Sequence, residues 1–376
     1  MTASPEVVVV GAGIVGAACA YYLALDGVRT LVVDESFAGG GATAAGMGHI
    51  VVMDDSPAQF ALTAYSRSLW SELAQGVGSF WEDDPCGTLW IAADQDELEL
   101  VRQKADYYSE RAVEVEVLSG EQLAELEPEL REGLAGALRV PGDRVVYPPL
   151  AARWLLERAV EMGAEARLGE RIEALGDRSV RTTEGEIEAD AVINAAGAGA
   201  GRLTAGLPVE PRKGHLVITE RYDAFCRHQL VELGYLKSAH TMAVESVAFN
   251  VQPRRTGQVL IGSSRELVGW DERINHQVLT AMLARAGEFL PRLGELEALR
   301  TWTGFRAATP DKLPLIGRWP EAEGLWLATG HEGLGITTAL ATGKILASLL
   351  QRLEPPIDPS PYSPARFLAG PSPMGN

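Results

Sequence analysis

The segment that most restricts the fold is "VVVVGAGIVGAACAYYLALDGVRTLVVDE", which runs from Val7 to Glu35. Its four valines show no polar alternation, which is typical of a parallel strand covered on both faces. A glycine-rich turn, a helix that ends near Gly27 and a second apolar strand follow in order. The segment therefore predicts a βαβ unit at the start of a Rossmann-like α/β domain.

The turn of this unit carries a G-x-G-x-x-G pattern formed by Gly11, Gly13 and Gly16. The first glycine permits a tight turn, the second lets a pyrophosphate approach the backbone, and the third allows close packing of helix on strand. Asp34 ends the second strand, where an acid accepts hydrogen bonds from ribose hydroxyls. A chance glycine turn and a solvated strand-end acid are the alternatives, but the combination favours dinucleotide binding.

The next segment, "FAGGGATAAGMGH" from Phe37 to His49, is too rich in glycine and alanine for a regular helix or strand. Such a run lets backbone N–H groups approach a phosphate or the edge of a ring. A surface loop is the alternative. Its position directly after the ribose-binding acid favours contact with the ligand.

Charge and cysteine content exclude several classes of protein. The 376 residues exceed one usual core and predict two domains. The net charge of -18 argues against binding to nucleic acids or anionic membranes. Cys19, Cys86 and Cys226 form no C-x-x-C pair, so we expect no metal site and a reducing compartment. Without a basic leader or a long uncharged apolar run, the sequence predicts a cytoplasmic protein with no transmembrane segment.

The rest of the chain alternates between the two expected domains. Helical periodicity spans Pro57 to Ala74, and a short strand is expected from Thr88 to Ala92. The charged stretch from Asp94 to Glu132 reads as helical, with a cap at Ser119. Short alternating strands from Pro211 to Leu267 predict an antiparallel sheet, and a helix from Asn275 to Phe289 follows.

Three further motifs complete a pattern: "NAAG" at Asn194 to Gly197, "GFR" at Gly304 to Arg306 and "GHEGLGIT" at Gly330 to Thr337. With the glycine turn and the loop, they make nearly the whole chain resemble the D-amino acid oxidase, glycine oxidase and sarcosine oxidase family of flavoproteins. "PRKGHLVIT", "HQLVELGYLKSAH" and "TGFRAATPDKLPLIG" are most similar to the flavin subunit of bacterial D-hydroxyproline dehydrogenases. That group is itself similar to the catalytic subunit of hydrogen cyanide synthase.

This resemblance implies a discontinuous FAD-binding domain (1–85, 143–212 and 304–365), a substrate domain (86–142 and 213–303) and a tail (366–376). It implies non-covalent FAD, because Thr43 and the alanines after it stand where some relatives carry an attachment histidine. It also implies transfer of electrons, in some relatives, to small iron-sulfur partner subunits. The FAD contacts that it implies are Gly11, Gly13, Ile14, Val15, Gly16, Asp34, Glu35, Gly41, Ala42, Thr43, Ala45, Gly46, Met47, Gly48, Ile172, Ala195, Ala196, Gly197, Gly304, Gly330, Gly333, Leu334, Gly335, Ile336 and Thr337.

The resemblance also assigns the substrate site. Arg306, which has no acidic neighbour in sequence before Asp311, would hold the substrate carboxylate with its bidentate fork. A structural arginine paired with a distant acid is the alternative. His331 and His49 are candidates for handling the amine proton, with a purely structural role as the alternative. Lys237 and His240 are candidates for substrate binding.

The expected reaction is oxidation of a small D-amino or imino acid to the imine, by hydride transfer from the α-carbon to flavin N5. The best candidate substrates are cis-4-hydroxy-D-proline and D-proline. One alternative is a glycine or sarcosine oxidase that uses oxygen and makes peroxide. Another, of a different class, is a non-catalytic flavin-binding subunit of a larger complex.

Overall fold

The computed structural model describes residues 4–77, 80–233 and 245–368. Its α-helices are α1 (Ile14–Leu25), α2 (Pro57–Ala74), α3 (Gln95–Ser109), α4 (Gly120–Leu126), α5 (Pro148–Glu161), α6 (Ala200–Leu203), α7 (His276–Phe289) and α8 (Gly335–Leu350). Its strands are β1 (Val7–Val10), β2 (Thr30–Asp34), β3 (His49–Ile50), β4 (Thr88–Ala92), β5 (Glu116–Ser119), β6 (Gly136–Val140), β7 (Arg144–Val145), β8 (Glu165–Leu168), β9 (Ile172–Leu175), β10 (Ser179–Thr182), β11 (Gly185–Glu188), β12 (Ala191–Asn194), β13 (Glu210–Arg221), β14 (Gln229–Glu232), β15 (Glu245–Pro253), β16 (Gln258–Glu266), β17 (Ala298–Ala308), β18 (Leu315–Arg318) and β19 (Leu325–Thr329).

The first sheet has six strands in the order β18-β19-β12-β1-β2-β8. β1 lies in its centre and pairs in parallel with β12 and β2. Helices α1, α5 and α8 cover one face, and a second apolar layer that includes β10 covers the other. Because both faces are covered, β1 consists of four buried valines, which confirms the predicted parallel strand and the Rossmann-like fold class.

Helix α8 is apolar along most of its length. The stretch Glu332–Leu350 is long and apolar enough to cross a membrane by length and composition. It is, however, a core helix, because 61% of its most apolar window is buried inside the protein and α8 packs on α1 and α2. Its composition is thus accounted for by contacts within the protein.

The second sheet has eight strands in the order β17-β13-β16-β15-β14-β4-β6-β5. Most neighbours are antiparallel as predicted, but β14 and β4 pair in parallel. These two strands come from distant parts of the chain, so no local turn imposes the antiparallel direction on them. One face of the sheet packs on α7, and the other is covered by α3 at β4 and β6 and faces the first domain elsewhere.

The region from Asp94 to Glu132 is less helical than predicted. Ser119 does cap α4, because its hydroxyl accepts a hydrogen bond from Gln122 N while the Gln122 side chain accepts one from Ser119 N. The strand β5 separates α3 from α4, however, and extends the edge of the second sheet by pairing with β6. This pairing is long-range and overrides the local helical pattern.

The two sheets are built from interleaved parts of the chain. The predicted boundary between 303 and 304 falls inside β17, which belongs to the second sheet along its whole length. The predicted tail begins at Arg366, whose guanidinium donates to Asp311 at 2.7 Å. The second sheet therefore includes residues up to Ala308, and the start of the predicted tail is held by the contact of Arg366 with Asp311.

Candidate active site

A cavity of about 1050 Å³ lies between the two sheets. Its walls are the glycine turn after β1, the loop before β3, the inner face of the second sheet and the turn before α8. The space exceeds the ordinary range for a drug-sized ligand and is large enough for a dinucleotide together with a small second molecule.

The glycine turn brings backbone N–H groups to one end of this cavity. Gly11 has φ +108°, which is strained for other residues. A Cβ on Gly16 would lie 1.8 Å from the Gly11 carbonyl oxygen, so only glycine lets α1 begin this close to β1. The N-terminus of α1 has no side-chain cap at Gly13, which leaves it open to a phosphate.

Two side chains hold this turn in place. Thr43 Oγ1 accepts a hydrogen bond from Ile14 N at 3.0 Å, and Asp34 Oδ2 accepts one from Ala12 N at 2.6 Å. Asp34 Oδ1 accepts another from Ser36 N. Asp34 therefore braces the turn as well as lining the cavity, while the exposed Glu35 lies beside it on the wall.

The cavity wall leaves room for a cofactor at its glycines. Gly41 and Gly197 line it with positive φ, and a Cβ on either would meet no atom within 4 Å. Their backbone is thus open to a ligand, as a nest for a dinucleotide requires. Predicted cofactor contacts that line the cavity are Gly11, Gly13, Ile14, Val15, Asp34, Glu35, Gly41, Ala42, Thr43, Ala45, Gly46, Met47, Ile172, Ala195, Ala196, Gly197, Gly304, Gly333, Leu334, Gly335 and Ile336.

Four predicted contacts lie behind the wall instead: Gly16, Gly48, Gly330 and Thr337. Gly48 and Gly330 have positive φ, and a Cβ on either would clash with neighbouring backbone or side-chain atoms of the protein. Glycine at these positions therefore allows the close packing behind the cavity wall. The Thr337 hydroxyl donates to the carbonyl of His49 at 3.0 Å and thereby joins α8 to β3. Packing within the protein accounts for glycine or threonine at these positions. Sequence alone does not distinguish this packing role from contact with a ligand.

Arg306 lies in β17 and lines the cavity, as the sequence predicts. Its Nη1 donates to the carbonyl of Ser264 at 2.9 Å. The neighbouring strand supplies space for its guanidinium, because a Cβ on Gly214 would lie 2.4 Å from Nη1. A Cβ on Gly333 would lie 3.7 Å from Arg306 Nε, so the guanidinium also lies next to the turn before α8.

A second charged group, Glu332, lies in the same part of the cavity and was missed at the sequence level. Arg265 Nε lies 3.4 Å from its Oε1, and Arg212 Nη1 lies 3.7 Å from the same atom. Burial alone would raise the pKa of Glu332, but three guanidinium groups, led by Arg265, lower it to about 2. Glu332 is therefore ionised at neutral pH.

The two predicted histidines have different surroundings. His331 is buried, and its Nε2 lies 2.9 Å from the Thr342 hydroxyl in α8, which itself donates to the carbonyl of Thr338. Burial lowers the pKa of His331 to about 3, so the ring is neutral. His331 also lines the cavity, and its hydrogen bond with Thr342 braces the turn before α8.

His49 lines the cavity, and desolvation lowers its pKa to about 4, with smaller opposing effects from the Gly333 carbonyl and Glu332. Its Nδ1 is enclosed and has no hydrogen-bond partner among the described residues. The neutral ring lies on the cavity wall, beside the space for a ligand, with Nδ1 on its enclosed side. Of the other candidates, Lys237 and His240 lie outside the described residues.

The inner face of the second sheet adds buried polar residues that the sequence reasoning did not single out. They line the cavity from strands β4, β14, β15 and β16 and from helix α2. No sequence motif marks them, because they come from distant parts of the chain and meet only in the folded protein. These residues are Gln59, Trp90, Gln229, Asn250 and Ser263. In residues 4–77, 80–233 and 245–368, no group of three or more His, Cys, Asp or Glu side chains is placed to hold a metal ion.

Comparison with known proteins agrees with this architecture. The DAO family model, described as FAD dependent oxidoreductase, matches residues 6–349. A glycine oxidase of Pseudomonas aeruginosa is 33% identical over 380 residues, which cover 96% of this chain and 99% of that protein.

Two solved structures share the fold over nearly their whole lengths. Glycine oxidase from Geobacillus kaustophilus has 27% identity and a TM-score of 0.87, with 97% of this chain and 99% of that chain covered. L-Proline dehydrogenase from P. horikoshii has 25% identity and a TM-score of 0.87, with 98% and 99% covered. The chain therefore belongs to the DAO family of FAD-dependent oxidoreductases.

Proposed function

We propose that this enzyme oxidises the amine of a small cyclic D-amino acid, cis-4-hydroxy-D-proline or D-proline, to the imine. The observation that carries the proposal is Arg306 on the cavity wall, in a cluster where three guanidinium groups outnumber the ionised Glu332. The carboxylate of an amino acid matches this excess of positive charge, since a guanidinium binds a carboxylate in a bidentate manner.

FAD is the cofactor, and when bound it supplies the acceptor for the two electrons of the oxidation. The glycine turn after β1, Glu35 and the loop around Thr43 would hold its nucleotide part. The loop residues Gly46 and Met47 and the turn before α8 would hold its ring. We propose that FAD binds non-covalently, because Thr43 is engaged with the backbone of α1.

The protein's own residues would orient the substrate. Arg306 fixes the carboxylate, and its position is set by the Ser264 carbonyl on one side and by the absence of a side chain at Gly214 on the other. We propose that neutral His49, which lies on the cavity wall, accepts a hydrogen bond from the substrate amine. Fixing both ends of the amino acid lowers the entropic barrier to reaction.

The cyclic substrate is supported by two likenesses. The motifs "TGFRAATPDKLPLIG" and "PRKGHLVIT" resemble those of D-hydroxyproline dehydrogenases. The similar structure from P. horikoshii is an L-proline dehydrogenase. In line with that resemblance, we propose that electrons leave to an acceptor other than oxygen, for which an iron-sulfur partner subunit is a candidate.

A glycine or sarcosine oxidase is the second candidate. It is favoured by the 33% identity to a glycine oxidase of Pseudomonas aeruginosa over nearly the full chain. The two candidates differ in substrate and in electron acceptor. An oxidase forms peroxide at the rate of turnover, whereas a dehydrogenase reduces an artificial dye much faster than it reduces oxygen.

The test is an anaerobic absorbance titration of the FAD-bound protein with cis-4-hydroxy-D-proline, D-proline, sarcosine and glycine. We expect the two prolines to bleach the flavin bands, and Arg306→Ala to need at least about 30-fold more substrate, because a charge-assisted bidentate contact is lost. Arg300→Ala, which removes an exposed arginine from the same strand, is the matched control. Bleaching by sarcosine or glycine alone would support the second candidate, and an unchanged Arg306→Ala titration would contradict the assigned role.

A further inference from the structure

A row of polar side chains crosses the inner face of the second sheet. Trp90 on β4 is in register with Val231 on β14, which in turn is opposite Asn250 on β15. Gln229 lies two residues before Val231 and therefore points to the same face. Trp90, Gln229, Val231 and Asn250 all line the cavity, and together they form the amide row of this sheet.

The polar groups of the amide row are buried but unused. Trp90, Gln229 and Asn250 are 2%, 2% and 6% exposed. The Trp90 Nε1, Gln229 Oε1 and Asn250 Oδ1 atoms have no hydrogen-bond partner within residues 4–77, 80–233 and 245–368. A buried polar atom left without a partner costs about 1–3 kcal/mol, so such atoms are rare unless a ligand uses them.

The amide row lies at a defined place relative to Arg306. Asn250 is opposite Gly262 on β16, and the carbonyl that holds Arg306 belongs to Ser264, two residues further along that strand. A small substrate anchored by its carboxylate at Arg306 can thus place a side-chain substituent near Asn250.

The chemistry of the row selects the substituent. Asn250 and Gln229 offer carbonyl oxygens that accept hydrogen bonds, and Trp90 offers an N–H donor. None of the three side chains carries a charge, so they match a neutral group better than an ionised one. A hydroxyl group both donates and accepts, and can therefore satisfy an amide oxygen and the indole N–H together.

We propose that the amide row is a specificity subsite that binds a hydroxyl substituent of the substrate, with Asn250 as its principal residue. This inference rests on the proposed amino-acid oxidation and narrows its substrate class to hydroxylated amino acids. A substrate without the hydroxyl leaves the row unsatisfied, which lowers its relative reactivity.

The test compares kcat/KM for cis-4-hydroxy-D-proline and D-proline in the FAD-bound protein. We expect the wild type to prefer the hydroxylated substrate by at least about tenfold. Asn250→Leu, which keeps the branched shape of the side chain but removes the hydrogen bond, should reduce this preference to about threefold or less. Gln258→Leu is the matched control, because it also replaces an amide by leucine but lies at the start of β16 outside the cavity lining, and it should leave the ratio unchanged.

Binding measurements separate failure of the subsite from failure of the proposed function. Anaerobic titration calorimetry of the protein with its flavin already reduced by dithionite gives the corresponding ratio of dissociation constants, because the reduced flavin cannot oxidise either proline. If only open-chain amino acids react, D-serine and D-alanine provide the corresponding pair. Pyrrole-2-carboxylate, which lacks a hydroxyl, should bind equally to wild type and Asn250→Leu. A ratio near one in the wild type, or a ratio that Asn250→Leu leaves unchanged, overturns the subsite.

Discussion

At the scale of single residues, Gly214 affects the site through the side chain that it lacks. An added Cβ would lie 2.4 Å from Arg306 Nη1 and 2.9 Å from Cζ. These are atoms at the end of a flexible side chain, so the guanidinium would move while the backbone stays. Gly214 is therefore a positioning residue for the proposed carboxylate contact.

We expect Gly214→Ala to lower kcat/KM by about 10- to 100-fold with little change in stability, because a displaced guanidinium loses its bidentate geometry. Steady-state kinetics and thermal unfolding measure the two effects. The double variant with Arg306→Ala should be no slower than Arg306→Ala alone, since both changes act on one contact. Additive losses would show that Gly214 acts elsewhere.

Sequence reasoning could place Arg306 in the site because the motif around it is local. It could not find Glu332 as its partner. The three arginines that keep Glu332 ionised come from β13, β16 and β17, which meet only in the folded sheet. The same holds for Asn250 and Gln229, whose shared face depends on the register between β14 and β15.

At the scale of elements, the start of α1 depends on one close approach. A Cβ on Gly16 would overlap the Gly11 carbonyl, at 1.8 Å. Because neither the helix nor β1 can move without disturbing the first sheet, Gly16→Ala should shift the N-terminus of α1. After purification, we expect this variant to contain at most about one tenth of the FAD found in the wild type. The ratio of flavin to protein absorbance measures this content.

The matched control for this change is Gly287→Ala in α7. An added Cβ there meets no atom within 4 Å, so alanine should be neutral or stabilise the helix by up to about 1 kcal/mol. Full FAD content in Gly16→Ala would contradict the packing argument. This glycine was predictable from sequence because its partner is five residues away, whereas the parallel pairing of β4 and β14 joins strands far apart in the chain.

At the scale of the whole molecule, buried histidine links stability to pH. Burial lowers the pKa of His331 to about 3, whereas an unfolded histidine titrates near 6.5. Below pH 6.5 the unfolded chain binds a proton that the folded protein excludes. The stability contributed by the neutral ring is therefore present above pH 6.5 and is lost as the pH falls towards 3.

Between pH 7.5 and 5.5 this loss amounts to about 1 kcal/mol for His331. Burial raises the pKa of Asp143 to about 6, which acts in the opposite direction, and His49 acts in the same direction. The contributions of Asp143 and His49 to stability are the same in wild type and in His331→Gln, so they cancel when the two proteins are compared. The glutamine amide of this variant can still reach Thr342. Urea unfolding at the two pH values should show the smaller pH dependence in the variant, and equal dependence would exclude His331 as the source.

The order of strands in the first sheet has a consequence for synthesis. Its centre joins β1 from the start of the chain to β12 from the middle, and β19 and α8 come from the last part. Until β19 and α8 have left the ribosome, the nascent chain lacks the cavity wall that is formed by the turn before α8. We therefore expect the flavin to be captured late in synthesis, after this last segment has left the ribosome.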